Sequence, residues 1–331
     1  MSGILDEDGL IGRFFRPLAT APGAAELLDD AAAYTPPEGF ELVLTVDAVV
    51  AGVHFFPDDP PDAIARKALR VNLSDLAAKG ARPVGYLLTL GLGDDWTPDW
   101  LESFAEGLAA DQEEFDIALF GGDTVRTPGP FFASITVFGL TPEGQVPRRG
   151  GASAGQQVFV TGTIGDAALG LKVRQDPTLP RRWGLSAPQA EHLLDRYLLP
   201  EPRLSAARLV TEFATASMDI SDGLAGDLAR LCVASDVSAV IDADRVPLSA
   251  AAERAVRRDP SALSTVLSGG DDYEILATVS ADVSEAFQHA ADDLGVRVTA
   301  IGTLLPPGNG RVRIERQGHP LVLDRLAFKH V

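Results

Sequence analysis

Cys232 is the only cysteine among 331 residues, and the chain has just four lysines, three tryptophans and two methionines. One thiol excludes an intrachain disulfide and any thiolate-bound metal cluster. Cys232 is expected to pack as a small apolar residue in a helix. Bases are scarce, 28 Lys and Arg against 47 Asp and Glu, for a net charge of −19. That balance argues against nucleic acid or an anionic membrane as the main partner, since both are met by basic surface. Although 46% of residues are apolar, no run approaches the roughly 18 uninterrupted apolar residues of a spanning helix. The opening "MSGILDEDGLIGRFF" carries acids where a secretory leader carries bases, and it has no apolar stretch of leader type, so a cytoplasmic location is expected. The familiar nucleotide motifs are absent too. There is no Gly-Lys-Ser/Thr loop, "GLGDDW" fails the dinucleotide pattern, and no protein-kinase catalytic loop or EF-hand spacing occurs.

What is present is a chain long enough for two domains. The Gly-, Pro- and polar-rich stretch "TPEGQVPRRGGASAGQQ", Thr141 to Gln157, reads as the boundary, dividing residues 1–150 from 151–331. "ELVLTVDAVV" alternates as a strand, placing Thr45 and Asp47 on one face and Leu42, Leu44 and Val46 on the other. A helix is expected from about Pro61 to Lys79, stopped by Gly80. Its stripe Ile64, Ala68, Val71, Asp75 and Ala78 puts a carboxylate on an apolar face. A strand from Val84, a helix over 98–115, a strand "DIALFGGD" ending in a glycine turn and a strand "FFASITVFGL" follow. "QVFVTGTIGDAALGLKV" reads as strand, glycine turn and helix, and "RQDPTLPRRWGLSAP" as a surface loop. The alternation fits two α/β or α+β halves. "VNLSDLAAKG" echoes "MDISDGLAGD", and "FGGDT" echoes "SGGDD", which raises the question of a half-repeat.

Six aspartates, Asp30, Asp47, Asp75, Asp123, Asp219 and Asp222, sit at the ends of apolar runs or on apolar faces. Singly each has an ordinary explanation as a turn residue or helix-start anion. Jointly they need a counter-charge, because buried unpaired carboxylates are costly. Carboxylates with Ser and Thr oxygens suit a hard cation such as Mg²⁺, which takes its remaining ligands from water and substrate phosphates. A nucleotide enzyme is therefore expected, and no clear His–Asp pair offers a general base. With so few lysines, arginines such as Arg148 and Arg149 would share the phosphate charge. Asp227, one turn into its helix, reads as a solvated surface residue.

The segments "TVDAVVAGVHF", "KALRVNLSDLAAKGARP", "FGGDT", "VTGTIGDAALGL", "MDISDGL" and "SGGDDYEIL" resemble, in order and spacing, those of the thiamine-monophosphate kinase family of the PurM-like, aminoimidazole ribotide synthetase-like superfamily. The resemblance spans about residues 29–276, with a weaker match at "FKH". It implies a two-domain PurM-like fold, an N-terminal domain that dimerises through its sheet, and ATP-dependent phosphorylation of thiamine monophosphate with several Mg²⁺ ions. By motif, Asp30, Thr45, Val46 (through its carbonyl), Asp47, Asp75, Asp123, Asp219 and Asp222 would be metal ligands, Asp30, Asp47 and Asp75 being central to catalysis. Gly122, Asp123, Arg149 and Ser221 would contact ATP, and His54, Asp271 and Phe328 the substrate. The chain departs from the family at Leu28, where Gly is usual, and at Asp271, where Glu is usual. An aromatic that often accompanies ATP is replaced by Ala105. The other readings are a different ATP-dependent enzyme of the superfamily and a non-catalytic metal-binding relative.

Overall fold

Alternating strands of the first half pair into one sheet. The computed structural model describes residues 7–94, 96–308 and 310–327. Strands β1 (Phe40–Val50), β2 (Arg82–Leu92), β3 (Ala118–Arg126) and β4 (Phe132–Pro142) lie in the order β1-β4-β2-β3. β4 runs antiparallel to both neighbours, whereas β2 and β3 are parallel. A parallel pair needs a long crossover, and helix α2 (Pro98–Phe115) supplies it. Thr97 caps α2 by accepting from the Trp100 amide, and Pro98 occupies its first turn. The helix before β2, α1 (Pro61–Ala78), ends one residue short of the expected Lys79. Buried residues recur at helical spacing on α1 (Ile64, Ala68, Val71) and α2 (Leu101, Phe104, Leu108), and alternate on β2 (Tyr86, Leu88, Leu90). A Cβ at Gly107 would lie 2.4 Å from the Asp62 carbonyl oxygen, so glycine permits the close approach of the two helices there. Buried Asp111 on α2 accepts from Arg66 and Arg70 on α1 at 2.8 Å, tying the helices together.

β3 does not end at its glycines; it continues through Gly121 and Gly122 to Arg126. A Cβ at Gly122 would sit 1.9 Å from the Leu88 carbonyl oxygen, so the glycine serves strand approach rather than a turn.

The second half forms a seven-stranded sheet from β5 (Gln157–Thr161), β6 (Ala214–Asp219), β7 (Ser238–Asp242), β8 (Ile275–Val279), β9 (Val298–Leu305), β10 (Val312–Arg316) and β11 (His319–Pro320). Its order is β11-β10-β7-β9-β5-β8-β6, antiparallel except for β7–β10. Every residue of β8 is buried. Leu276 joins a core with helices α3 (Asp166–Gln175), α4 (Ala187–Leu198) and α5 (Leu224–Ala234), while Ile275, Ala277 and Val279 join one with Leu209, Val210 and Phe287. Successive side chains thus feed opposite faces, giving a sheet covered on both sides. Cys232 lies fully buried within α5, as expected.

The chain divides into two compact units: residues through Leu76 with Arg82–Gly144, and Ala77–Ala81 with the chain from Gln145 onward. The mixed α/β class matches the sequence expectation. Two local readings change. The "RQDPTLPRRWGLSAP" segment contains a short helix, Leu179–Trp183, that buries both its end residues, because an indole and a leucine are worth removing from water. The half-repeat has no structural counterpart: "VNLSDLAAKG" runs from mid-helix in α1, whereas "MDISDGLAGD" is strand, turn and helix.

Candidate active site

Register explains how the first unit presents its acids. Thr45 and Asp47 on β1 lie opposite buried Val137 and Ile135 of β4, so they face the helical side, and Leu44 and Val46 face away. Asp75 comes down on the same side from α1, whose stripe residues Ile64, Ala68, Val71 and Ala78 are all buried. Thr45 Oγ1 donates to Asp75 Oδ2 at 2.6 Å, and the Asp47 amide donates to Asn72 Oδ1 at 2.9 Å. Asn72 is fully buried and also donates to the Ala68 carbonyl. Sequence reasoning passed over it, although its position three residues before Asp75 places it on the same face. His54 follows in the turn after β1 and accepts the Val50 amide on Nδ1 at 3.1 Å, which puts the proton of the neutral ring on Nε2.

A cavity of about 220 Å³ in this unit is lined by Asp29, Asp30, Gly122 and Asp123, with Phe15 and Phe120 among its apolar walls. Expected metal and ATP positions therefore meet in one hollow. Leu28 has φ −104°, a conformation open to any residue, so the departure from glycine there is not sterically penalised. The left-handed residues of that stretch are instead Ala25, Glu26 and Leu27.

In the second unit, Asp219 ends β6 and is buried. The turn Ser221–Gly223 leads into α5, and Gly223 (φ 119°) has no room for a Cβ, which would sit 2.7 Å from the Ser268 carbonyl carbon. The "GGDDYE" segment runs alongside. The Asp271 amide donates to the Ser221 carbonyl, and the Tyr273 amide to the Ile220 carbonyl, each at 2.8 Å. Asp271 (φ 69°) and Tyr273 (φ 52°) are left-handed, a strain that these bonds hold in place. Ser221 and Asp222, read as nucleotide and metal residues, are thus bonded through their turn to Asp271, read as a substrate residue.

Asp227 overturns its surface assignment. It is fully buried, and its Oδ2 accepts the amides of Ser221, Asp222 and Gly223 at 3.0, 3.0 and 3.2 Å. Burial lifts its carboxyl above the usual range, and the amide bonds and Arg230 offset this only in part. Arg230 pairs with Asp227 Oδ1 and Asp222 Oδ2, each at 2.5 Å. A base therefore serves this acidic turn, one helical turn beyond Asp227, where the i,i+3 spacing marks it.

The anchors of "GGDDYE" were also unforeseen. Glu274 is fully buried and receives Thr161 Oγ1 at 2.7 Å, Arg203 at 2.7 and 2.5 Å, and Arg196 at 3.2 Å. Burial pushes the neighbouring Asp272 carboxyl well above its ordinary value. Asp272 Oδ1 accepts the Gly165 amide at 2.8 Å. Within the "TGTIG" turn, the Gly162 and Ile164 amides are likewise taken, by the Arg297 and Pro247 carbonyls. That turn spends these three amides on its own fold, and none of the three is left for a phosphate. A His–Asp pair does exist: His192 Nε2 lies 3.1 Å from Asp166 Oδ2. Asp166 also accepts from Thr163 at 2.6 Å and Ser249 at 2.5 Å, so it clasps the start of α3 to its surroundings. Arg149 is exposed in a short turn whose carbonyl accepts from Ser235 Oγ at 2.6 Å. Phe328 lies outside the described residues.

Among the described residues no three His, Cys, Asp or Glu side chains converge as a metal cluster. In the first unit Asp30 and Asp123 line one cavity and Asp75 meets Thr45, and Asp219 and Asp222 belong to the second unit. Their all-oxygen donor set fits a hard divalent cation.

Residues 28–141 match the family model "AIR synthase related protein, N-terminal domain", and residues 153–315 match its C-terminal counterpart. The thiamine-monophosphate kinase of Caulobacter vibrioides is 41% identical over 97% of this chain and 89% of its own length. The chain belongs to the thiamine-monophosphate kinase family. Solved relatives agree. The thiamine-monophosphate kinase of Stenotrophomonas maltophilia K279a superposes with a TM-score of 0.79 at 39% identity, covering 89% of this chain and 91% of that one. AaThiL complexed with AMPPCP and TMP superposes with a TM-score of 0.77 at 29% identity, covering 99% and 97%. Membership accounts for the PurM-like two-domain fold expected from the motifs.

Proposed function

We propose that this protein transfers the γ-phosphoryl group of ATP to the phosphate of thiamine monophosphate, releasing thiamine diphosphate and ADP. The observation that carries this reading is the match to a curated kinase of that activity along 97% of the chain. The acceptor is itself a phosphate, whose second pKa of about 6 leaves it largely anionic at neutral pH. No strong general base is needed, and the buried, triply bonded Asp166 is not asked to drive one through His192. The difficulty is bringing two polyanions together, a matter of positioning and charge neutralisation.

Asp30, Thr45, the Val46 carbonyl, Asp47, Asp75, Asp123, Asp219 and Asp222 would hold Mg²⁺, and Asp30, Asp47 and Asp75 are the acids we rank as most important to turnover. Bound there, Mg²⁺ would neutralise phosphate charge and align the two substrates. Gly122, Asp123, Arg149 and Ser221 would face ATP, and His54, Asp271 and Phe328 the thiamine monophosphate. The Asp271 side chain is one methylene shorter than the usual Glu, but Tyr273 Oη donates to its Oδ1 at 3.4 Å and its amide is anchored on Ser221.

A homodimer formed through the four-stranded sheet is part of this reading. Leu44 (63% exposed) and Val46 (58%) on β1 and Leu87 (41%) on β2 leave apolar surface on the sheet face turned from the helices. Such a face is characteristic of association surfaces. Among the described residues no helix is long and apolar enough to cross a membrane. A cytoplasmic location is the reading we adopt.

Incubating the purified protein with ATP and Mg²⁺ tests the proposal. ADP release should require thiamine monophosphate and should not occur with thiamine. Asp75→Asn should reduce turnover by orders of magnitude with the fold intact; near-normal turnover would overturn the metal-ligand assignment.

A further inference from the structure

Three backbone amides, those of Ser221, Asp222 and Gly223, converge at the start of α5, an arrangement that ordinarily receives an anion such as a phosphate. Here the anion is internal. Asp227 reaches back from the first turn of α5 and takes all three amides on one carboxylate oxygen, at 3.0, 3.0 and 3.2 Å. Its other oxygen is held by Arg230, which also grips Asp222. The carboxylate is fully buried, so its desolvation is tolerated only because four donors meet it. The same turn carries the Ser221 carbonyl that accepts the Asp271 amide, and a Cβ at Gly270 would collide with that carbonyl at 2.3 Å. The turn is thus clamped from two sides, by Asp227 on its amides and by "GGDDYE" on its carbonyl.

We infer that Asp227 is a positioning residue of the nucleotide subsite, filling the amide hole of the Ser221–Gly223 turn so that the turn meets ATP through the Ser221 side chain and not through its backbone amides. Arg230 completes the device by holding the Asp227 and Asp222 carboxylates in fixed relation. This deepens the proposed function and rests on its placement of Ser221 at ATP.

Three variants test it, read by ADP affinity and by KM for each substrate. Asp227→Asn should weaken ADP binding, measured by calorimetry without turnover, and should raise KM for ATP by about tenfold, the equivalent of one lost charge-assisted hydrogen bond. KM for thiamine monophosphate should change less than KM for ATP, because Asp271 meets this turn through its carbonyl and not through the amides that Asp227 holds. Arg230→Ala, at a half-exposed position, leaves the amide bonds in place and should raise KM for ATP by about threefold, in keeping with a weaker, partly solvated ion pair. If Asp227→Asn or Arg230→Ala leaves ADP affinity and KM for ATP unchanged, Asp227 is a structural cap only and the inference fails. Tighter ADP binding in Asp227→Ala would overturn it in the opposite sense, showing that the freed amides are a phosphate cradle. An inactive wild-type protein that still binds ADP would count against the proposed substrate, while the ADP affinities of the variants would still decide the role of Asp227.

Discussion

Replacing Glu274 by Ala should destabilise the second unit severely. Glu274 is fully buried immediately before β8, and its carboxylate is the common acceptor for Thr161 on β5, for Arg203, and for Arg196 on α4. The Arg196 side chain is only 5% exposed and that of Arg203 27%, so truncation strands two guanidinium groups in or near the interior. Glu201 remains beside both, at 3.0 and 3.2 Å, but it is half exposed and offers partial relief. Breaking a buried pair from one side costs about 3–5 kcal/mol, and the surviving Glu201 points to the low end, about 3 kcal/mol. For a unit of this size that corresponds to a loss of roughly 10 °C in Tm. Thr161→Val removes the donor to Glu274 and also the acceptor of the buried Ile275 amide, and should cost about 2 kcal/mol. Denaturant unfolding of the wild type and both variants, with m-values compared to confirm that the same cooperative transition is followed, measures the difference. A loss below about 1 kcal/mol for Glu274→Ala would refute the argument that this carboxylate anchors the "GGDDYE" segment.

His192 should confer a pH-dependent stability. The hydrogen bond to Asp166 raises its pKa above 6.5 against the opposing effect of burial, so its contribution is full below about pH 6.5 and is lost as pH rises through the elevated value. The stability difference between wild type and His192→Ala should be largest near pH 6 and shrink above it; a difference independent of pH would contradict the pairing. Asp166 works at the other end. Burial raises its pKa, but the bonds from His192, Ser249 and Thr163 together outweigh burial and hold it below 3.8, so its contribution is present above that value and lost as pH falls further. Leu44→Asp with Val46→Asp should shift the protein towards monomer in sedimentation without lowering its helix content, and an unchanged mass would exclude that sheet face from the interface. Burial pushes the Cys232 thiol up to about 11, so it should resist a thiol reagent in the native protein and react in denaturant; rapid native labelling would contradict its place in the core.

Much of the architecture was legible because local periodicity and punctuation already encode it. Thr45 and Asp47 share a face because a strand alternates, and Asp75 joins them because helical spacing puts it on the stripe of Ile64 and Val71. The family motifs added assignments that periodicity could not, those of Asp30, Asp219 and Asp271 among them. Long-range closeness was not legible. The glycines of "FGGDT" read as a turn because their local signal is the same as that of a strand meeting the Leu88 carbonyl at close range. Asp227 read as solvated because its position on the helix does not disclose that the preceding turn folds its amides onto it. Glu274 gathers donors from positions 161, 196 and 203, and His192 meets an aspartate 26 residues away. The sequence by itself determined most of the elements, the buried faces of the main strands and helices of the first unit, and the family. Only the tertiary structure decided which carboxylates are already satisfied by the protein's own donors, because that depends on groups brought within about 3 Å by packing and not by neighbourhood along the chain.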